Sequence, residues 1–378
     1  MGFDFEKSIP REPPWLMMLP NEKEEEENPD VRVFYSFSNK KIHTIPLPDM
    51  RGKRCCGSFQ NGWLMTVDDN LDISLFHPWS KRRINLPHQS TFKDQNYEGC
   101  SMEVNRDMHV RKVTLSDDGS LAMFVYGVGD LAFCRIGDDD DAYTDVVGFY
   151  RAGDVDVFGH PLMMGEQIEH LVMEDVIYHM GYFYAVSKGG ALCRILFEDR
   201  FHALAERLTP KLDKLIPYTL FAYLVPDILT DRMFVITRDV DAIFRDENGI
   251  YRDDLDDNSH HKTTPFDIFA VPLEEEGAHA GTLKTFTKVE SLGDRVRVLF
   301  LGYNSSMIVM ASQFPGLKGN HIYFADNILE RYYDNPYGCP DSGIFSLEDG
   351  TVEQLFADRF HPILSPPLWI ATPPYSHH

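Results

Sequence analysis

One unit recurs along this chain: an aromatic or β-branched strand, a polar turn, and an apolar return strand. Its instances span residues 33–47, 72–86, 131–148, 191–208, 267–287 and 343–355. The last runs from Gly343 to Leu355 and turns at Glu-Asp-Gly, where Gly350 supplies the positive φ that a tight hairpin needs. The first, Val33 to Leu47, has the same parts in the same order. An isolated hairpin cannot hide its apolar side from water, so copies of it must pack on one another. Repetition of one supersecondary unit at intervals of roughly 45–60 residues selects a β-propeller over a sandwich or barrel.

The intervening strands agree with that reading. The clearest set is 54–59, 62–68, 72–77 and 83–86, with turns at Gln-Asn-Gly, Asp-Asp-Asn and Pro-Trp-Ser-Lys. A second set is 110–115, 121–126, 131–136 and 144–150. A third is 168–174, 176–186 broken at Met180-Gly181, 191–197 and a short 205–208. A fourth is 218–225, 232–237, 267–271 and 282–287, interrupted by a charged insertion from Asp239 to Pro265. The stretch Ser291 to Leu355 completes the series and reads as four short antiparallel strands in one sheet. The fold class is therefore all-β, with six blades counted and a seventh left open by the intervals 86–110 and 239–265.

The first hairpin lacks inner strands of its own. The tail from Pro366 to Thr372 carries Leu368-Trp369-Ile370 and is expected to supply one, so that the two chain ends close the ring. Three parts follow: an arm rich in Pro and Glu over 1–30, docked on the body through Trp15–Leu19; a propeller over 31–372; and a tail over 373–378 whose His377-His378 reads as the remnant of a purification tag.

Charge narrows the function. The chain carries a net charge of −23, with acidic clusters at 24–27, 138–141, 253–257 and 274–276, and such a surface repels phosphate backbones. Nucleic acid is not an expected partner. No apolar run is long enough to span a membrane, and the start, Met1-Gly-Phe-Asp-Phe-Glu-Lys7, lacks the basic and apolar regions of a secretory signal. An intracellular protein, cytoplasmic or nuclear, is expected. The six cysteines show no CxxC pair, which predicts reduced, buried thiols.

No motif announces chemistry. Gly-x-Ser-x-Gly is missing, and Ser58 lies in a predicted strand. Adjacent side chains on an extended chain point opposite ways, so neither His260-His261 nor His377-His378 chelates a metal alone. No cofactor or metal is expected. For a partner, His77 and Trp79 offer an imidazole beside an aromatic face, although the plainer role of both is packing and bonding a blade turn. Asp246, Tyr251, His260 and His261 sit in the 239–265 insertion, which reads either as disordered chain or as a binding lid. Trp63 reads as inter-blade core, and Asp326 and Asp349 as turn caps.

Several segments together resemble the plant KIB-type β-propeller family. They are Pro14-Trp-Leu-Met-Met-Leu19, Phe34-Tyr-Ser-Phe37, Cys56-Gly-Ser-Phe-Gln-Asn-Gly-Trp63, Leu75-Phe-His-Pro-Trp-Ser80, Leu299-Phe-Leu-Gly302, Phe314 to Phe324, Phe345-Ser-Leu-Glu-Asp-Gly350 and Pro367-Leu-Trp-Ile370. The resemblance covers about residues 12–372. It implies a protein-recruiting subunit of a ubiquitin ligase, in which an F-box ahead of the propeller grips a Skp1-like protein. Only thirteen residues precede Pro14, too few for an F-box, so a Skp1-like partner is not expected here. The sequence thus leaves a protein-binding propeller and, as the alternative, an enzyme or small-ligand binder with its site in the central channel.

Overall fold

The computed structural model describes residues 12–18, 27–59, 62–92, 106, 109–137, 144–145, 149–151, 171–200, 202–212, 220–227, 229–239, 266–273, 283–293, 296–325, 327, 342–355 and 367–372. Its strands form six sheets, the six blades of a propeller. Blade 1 contains β1 (Trp15–Met18), β2 (Val31–Ser36) and β3 (Lys41–Pro46). Blade 2 is β4 (Lys53–Phe59), β5 (Trp63–Asp68), β6 (Ile73–His77) and β7 (Arg82–Asn85). Blade 3 is β8 (Val110–Leu115), β9 (Leu121–Tyr126), β10 (Asp130–Arg135) and β11 (Thr144–Asp145). Blade 4 has β12 (Phe149–Arg151), β13 (Met173–His179), β14 (Tyr182–Ser187), β15 (Leu192–Phe197) and β16 (Ala203–Arg207). Blade 5 is β17 (Leu220–Pro226), β18 (Arg232–Asp239), β19 (Phe266–Pro272) and β20 (Thr287–Val289). Blade 6 has β21 (Arg297–Leu301), β22 (Met307–Met310), β23 (His321–Phe324), β24 (Gly343–Ser346) and β25 (Val352–Gln354), and the last strand is β26 (Leu368–Ile370).

Burial follows the radius. The middle strands of blade 2 are buried almost throughout, whereas the outer β3 and β7 alternate between half-buried and exposed residues. The apolar side chains fill the gaps between neighbouring sheets. One cluster joins blades 1, 2 and 3 through Phe34, Leu64, Phe76 and Phe124, and Trp63 belongs to it as expected.

The ring closes as the sequence foretold. β26 pairs with β1, Leu16 opposite Trp369, and β1 pairs with β2, Leu16 opposite Tyr35. Trp15–Met18 is therefore a strand within blade 1, between tail and hairpin, and not a patch laid on the body. Trp369 is fully buried; its indole N–H donates to Leu301 O at 3.0 Å, and its ring meets Phe300 and Phe37 at 5.0 and 5.4 Å.

Several strand assignments need correction. The first meander strand of blade 4 is Met173–His179 rather than 168–174, with Met180-Gly181 as the hairpin turn into Tyr182–Ser187, and the outer strand of blade 5 is Thr287–Val289 rather than 282–287. Residues 144–150 are not one outer strand: Thr144–Asp145 completes blade 3, and Phe149–Arg151 crosses to blade 4 and pairs parallel with β16, covering an edge that would otherwise be open. The stretch 291–355 is not a purely antiparallel sheet. β21 and β23 run parallel, because the chain leaves β21 toward the axis, returns as the innermost strand β22, and re-enters beside β21.

Truncating the latch tests this closure. Trp369→Ala is expected to lower stability by about 4 kcal/mol in guanidinium unfolding, against less than about 0.5 kcal/mol for Ile42→Ala on the exposed outer strand.

Candidate functional site: a filled axis and two unequal rims

Gly302 to Ser306 joins β21 to β22. Blade 6 borders blades 5 and 1, so a segment leaving it can touch blades 2, 3 and 4 only by crossing the axis. The segment does so. Ser305 N–H donates to Ser58 O at 2.7 Å in blade 2. In blade 3, Ser305 Oγ donates to Val113 O at 3.1 Å and Tyr303 Oη to Val110 O at 2.9 Å. Lys112 Nζ donates back to Gly302 O and Asn304 O at 2.9 and 2.7 Å, and Ser306 Oγ donates to Asp175 Oδ2 at 3.2 Å in blade 4.

The inner strands are shaped to receive it. Pairing register shifts between Cys55 and Ser58, between Val110 and Lys112, and between Met173 and Asp175, the three places where blades 2, 3 and 4 meet the plug. A bulge re-aims a side chain and frees local carbonyls, which the plug then satisfies. Gly57, at φ +142°, allows the close approach: a Cβ there would lie 3.4 Å from Tyr303 O.

Charge at the axis is paired across blades. Lys112 Nζ lies 3.5 Å from Asp175 Oδ1, and Arg111 lies 3.8 Å from Glu174 beside it. Lys112 is 5% exposed and Asp175 1%. Burial pushes the Lys112 ammonium below its ordinary value and the Asp175 carboxyl above its own, and the mutual attraction opposes both shifts. Asp175 also accepts the N–H groups of Val176 and Leu224 at 2.9 and 3.0 Å, which ties blades 4 and 5 to the plug. Ser58 Oγ donates to Trp369 O, so the plug and the latch meet at one residue. That bond makes Ser58 a structural hydroxyl.

The rims differ. In each four-strand meander, the first–second and third–fourth turns lie at one end, here called the lower rim. Asp227, in a lower turn of blade 5, holds Arg297 by two bonds of 2.9 and 3.0 Å. Arg297 O accepts Asn320 N–H, and Asn320 O accepts Leu347 N–H, which carries blade 6 into the same frame. Lower turns such as 78–81, 116–120 and 180–181 are tight, whereas the third–fourth connection of blade 5, between Pro272 and Thr287, is long. The strands that flank 93–105, 152–170, 213–219 and 240–265 all end on the upper rim.

The candidate residues separate accordingly. His77 and Trp79 share a lower turn of blade 2 but serve different contacts. His77 Nδ1 accepts Ser80 N–H at 3.1 Å and bonds Ser80 Oγ at 2.7 Å, with its ring 5.3 Å from Trp63. Trp79 meets Trp15 at 5.9 Å and Phe34 at 5.8 Å. Gly62 makes room for it beside the tail, since a Cβ there would lie 2.5 Å from Ala371 O and 3.1 Å from Trp79 Nε1. Asp246, Tyr251, His260 and His261 lie outside the described residues, as does Asp326. Asp349 caps its turn, accepting Thr351 N–H at 3.0 Å and Thr351 Oγ1–H at 2.7 Å. Cys55, Cys134 and Cys193 are free buried thiols that burial pushes up to about 12. Among the described residues no His, Cys, Asp and Glu group is placed to hold a metal, and no helix is long and apolar enough to cross a membrane.

The axial residues escaped the sequence reading, which gave Tyr303-Asn-Ser-Ser306 no role of its own. A signal was present: Arg111-Lys112 and Glu174-Asp175 are opposite-charge pairs set inside apolar strands, where unpaired charge is rarely tolerated.

Two measurements test this geometry. Asp175→Asn or Lys112→Met alone is expected to cost about 4 kcal/mol, because each strands a buried partner, and Lys112→Met/Asp175→Leu together less than the sum. His109 is fully buried against Phe92 and Tyr126, and burial holds its imidazole down at about 4, against an ordinary 6.5. A depressed value gives stability that is present above 6.5 and lost as pH falls toward 4. From about pH 7.5 to 5 the protein should therefore lose about 2 kcal/mol that a His109→Asn variant does not lose.

Comparison with solved structures returns matches of low sequence identity. The β-propeller domain of Cps50 (Swd1) from Myceliophteria thermophila is 9% identical, at a TM-score of 0.44, over 96% of this chain and 93% of that one. YCF48 bound to D1 peptide is 11% identical, at a TM-score of 0.32, over 68% and 60%. KlAtg21 in complex with the coiled coil of AgAtg16 is 12% identical, at a TM-score of 0.34, over 69% and 65%. No curated protein matches. The family model described as the KIB1-4 beta-propeller matches residues 34–346, most of the length, and the chain belongs to that family.

Proposed function

We propose that this chain is a protein-recognition propeller that engages its partner through loops on a rim. The observation that carries the reading is the filled axis. Gly302–Ser306 and the Lys112–Asp175 pair occupy the place where a propeller enzyme would gather its groups, which weighs against a site in the central channel. What remains for a partner is the rims, held in place by rigid sheets. The likeness to F-box adaptors of plants adds the kind of work: recruitment of a protein substrate in the cytoplasm or nucleus. His77, Asp246, Tyr251, His260 and His261 are the side chains proposed for contact, with Trp79 supporting the turn that carries His77.

Proximity labelling in plant cells tests this. The full chain fused to a biotin ligase is expected to label a reproducible protein set, and a version without 240–265, or with Tyr251, His260 and His261 changed to Ala, is expected to lose its leading members. A labelled set no different from that of the ligase alone overturns the reading. Co-purification of a Skp1-like protein would extend it to ligase assembly.

A further inference from the structure

Five large apolar side chains stand exposed among the described residues, and three of them sit on the lower turns of two adjacent blades. Met180 is 56% exposed and Tyr182 43% on the first turn of blade 4, and Leu229 is 58% exposed on the first turn of blade 5. Met180 is held in an unfavourable way. His179 pairs with Tyr182 across a two-residue turn in which Met180 has φ +48° and Gly181 φ +88°. That geometry favours Asn or Asp at the first position, and an unbranched apolar residue there carries backbone strain. Strain spent to display an apolar tip to water points to a role outside folding.

The turns carry one sign of charge, with Arg232 exposed beside Asp231 at the start of β18. The neighbouring first turn of blade 3 is Ser116-Asp117-Asp118-Gly119-Ser120, and that of blade 5 runs from Asp227 to Asp231. Asp117 and Asp231 both act on the His179 imidazole, and Asp117 and Asp118 on the Tyr178 hydroxyl, so the three turns adjoin. Asp117, Asp118 and Asp231 are exposed, whereas Asp227 is buried and committed to Arg297. The turns themselves contain no Lys or Arg. Arg194, over the Tyr182 ring at 5.1 Å, is neutralised by Glu206 at 2.5 Å.

We propose that these three turns dock a short partner segment, apolar at its centre and basic at its flanks. The segment rests on Met180, Tyr182 and Leu229, with its Lys or Arg side chains against Asp117, Asp118 and Asp231. Charge complementarity selects this occupant. A second copy of a chain of net charge −23 would bring carboxylates against carboxylates. The proposal deepens the protein-recognition reading and rests on it, but uses a different face from the insertion tested above.

The test uses the full chain and a fluorescein-labelled peptide of about twelve residues with four Lys flanking Leu-Phe-Leu, read by anisotropy. Asp117→Asn/Asp118→Asn/Asp231→Asn and Met180→Ser/Leu229→Ser should each weaken binding about tenfold or more, and replacing the central Leu-Phe-Leu with Ser should do the same. Asp49→Asn/Asp72→Asn/Glu290→Gln removes as much charge elsewhere and should change binding less than about twofold. Met180→Asn should raise the melting temperature by a few degrees and still weaken the peptide, a pairing that a merely structural turn would not give. Equal loss in the control variant would mean attraction to net charge only, and would overturn the proposal. So would unchanged binding in the site variants, no binding by the full chain, or a dimer in sedimentation that Met180→Ser/Leu229→Ser makes monomeric. Partners found by labelling alongside failure of every peptide would reject this site and leave the broader reading standing.

Discussion

The inner edges of a propeller's sheets face one another across an axis, and each presents a row of backbone groups that must find partners. Here they find them in a segment of blade 6. Ser305, Tyr303 and the carbonyls of Gly302 and Asn304 answer Ser58, Val113, Val110 and Lys112 on the far side of the ring. The bulges in β4, β8 and β13 are the other half of the same fit. A buried ion pair such as Lys112–Asp175 contributes little net stability, since desolvation offsets attraction. Its value is in fixing one arrangement, because any other leaves a charge unmet.

Closure of the ring is tied to that plug. Ser58 gives its carbonyl to Ser305 and its hydroxyl to Trp369, while the Trp369 indole reaches Leu301, the residue before the plug begins. Latch and plug are therefore one connected body, spanning blades 6, 1, 2 and 3. Disturbing either is felt by both, which favours a ring that opens as a unit over one that frays blade by blade.

Much of this was legible in the residues. The outer hairpins are read directly because period-two patterning and turn residues are local signals: each of the six expected outer strand pairs is present, though the return strands of blades 3 and 5 differ from their expected bounds, and the tail closes the ring through Leu368–Ile370. What stayed hidden was non-local. Nothing local in Gly302-Tyr-Asn-Ser-Ser306 says that its partners lie some 190 to 250 positions away, in Lys112 and Ser58. The parallel β21–β23 pair follows from that excursion and was missed with it. Residues 144–150 divided because the open edge of β16 offers pairing that sequence spacing does not reveal. The lower-rim apolar tips were missed because Met180-Gly181 registered only as a break between strands.

The account stands on the plug being native structure with the stability of the strands around it, and hydrogen exchange measures this directly. The Ser305 amide, bonded to Ser58 O at 2.7 Å, should exchange as slowly as the core amides of β21, through global opening alone. Exchange of 302–306 within seconds, at the pace of a surface turn, would mean that the axis is open and that the site has been placed on the wrong part of the molecule.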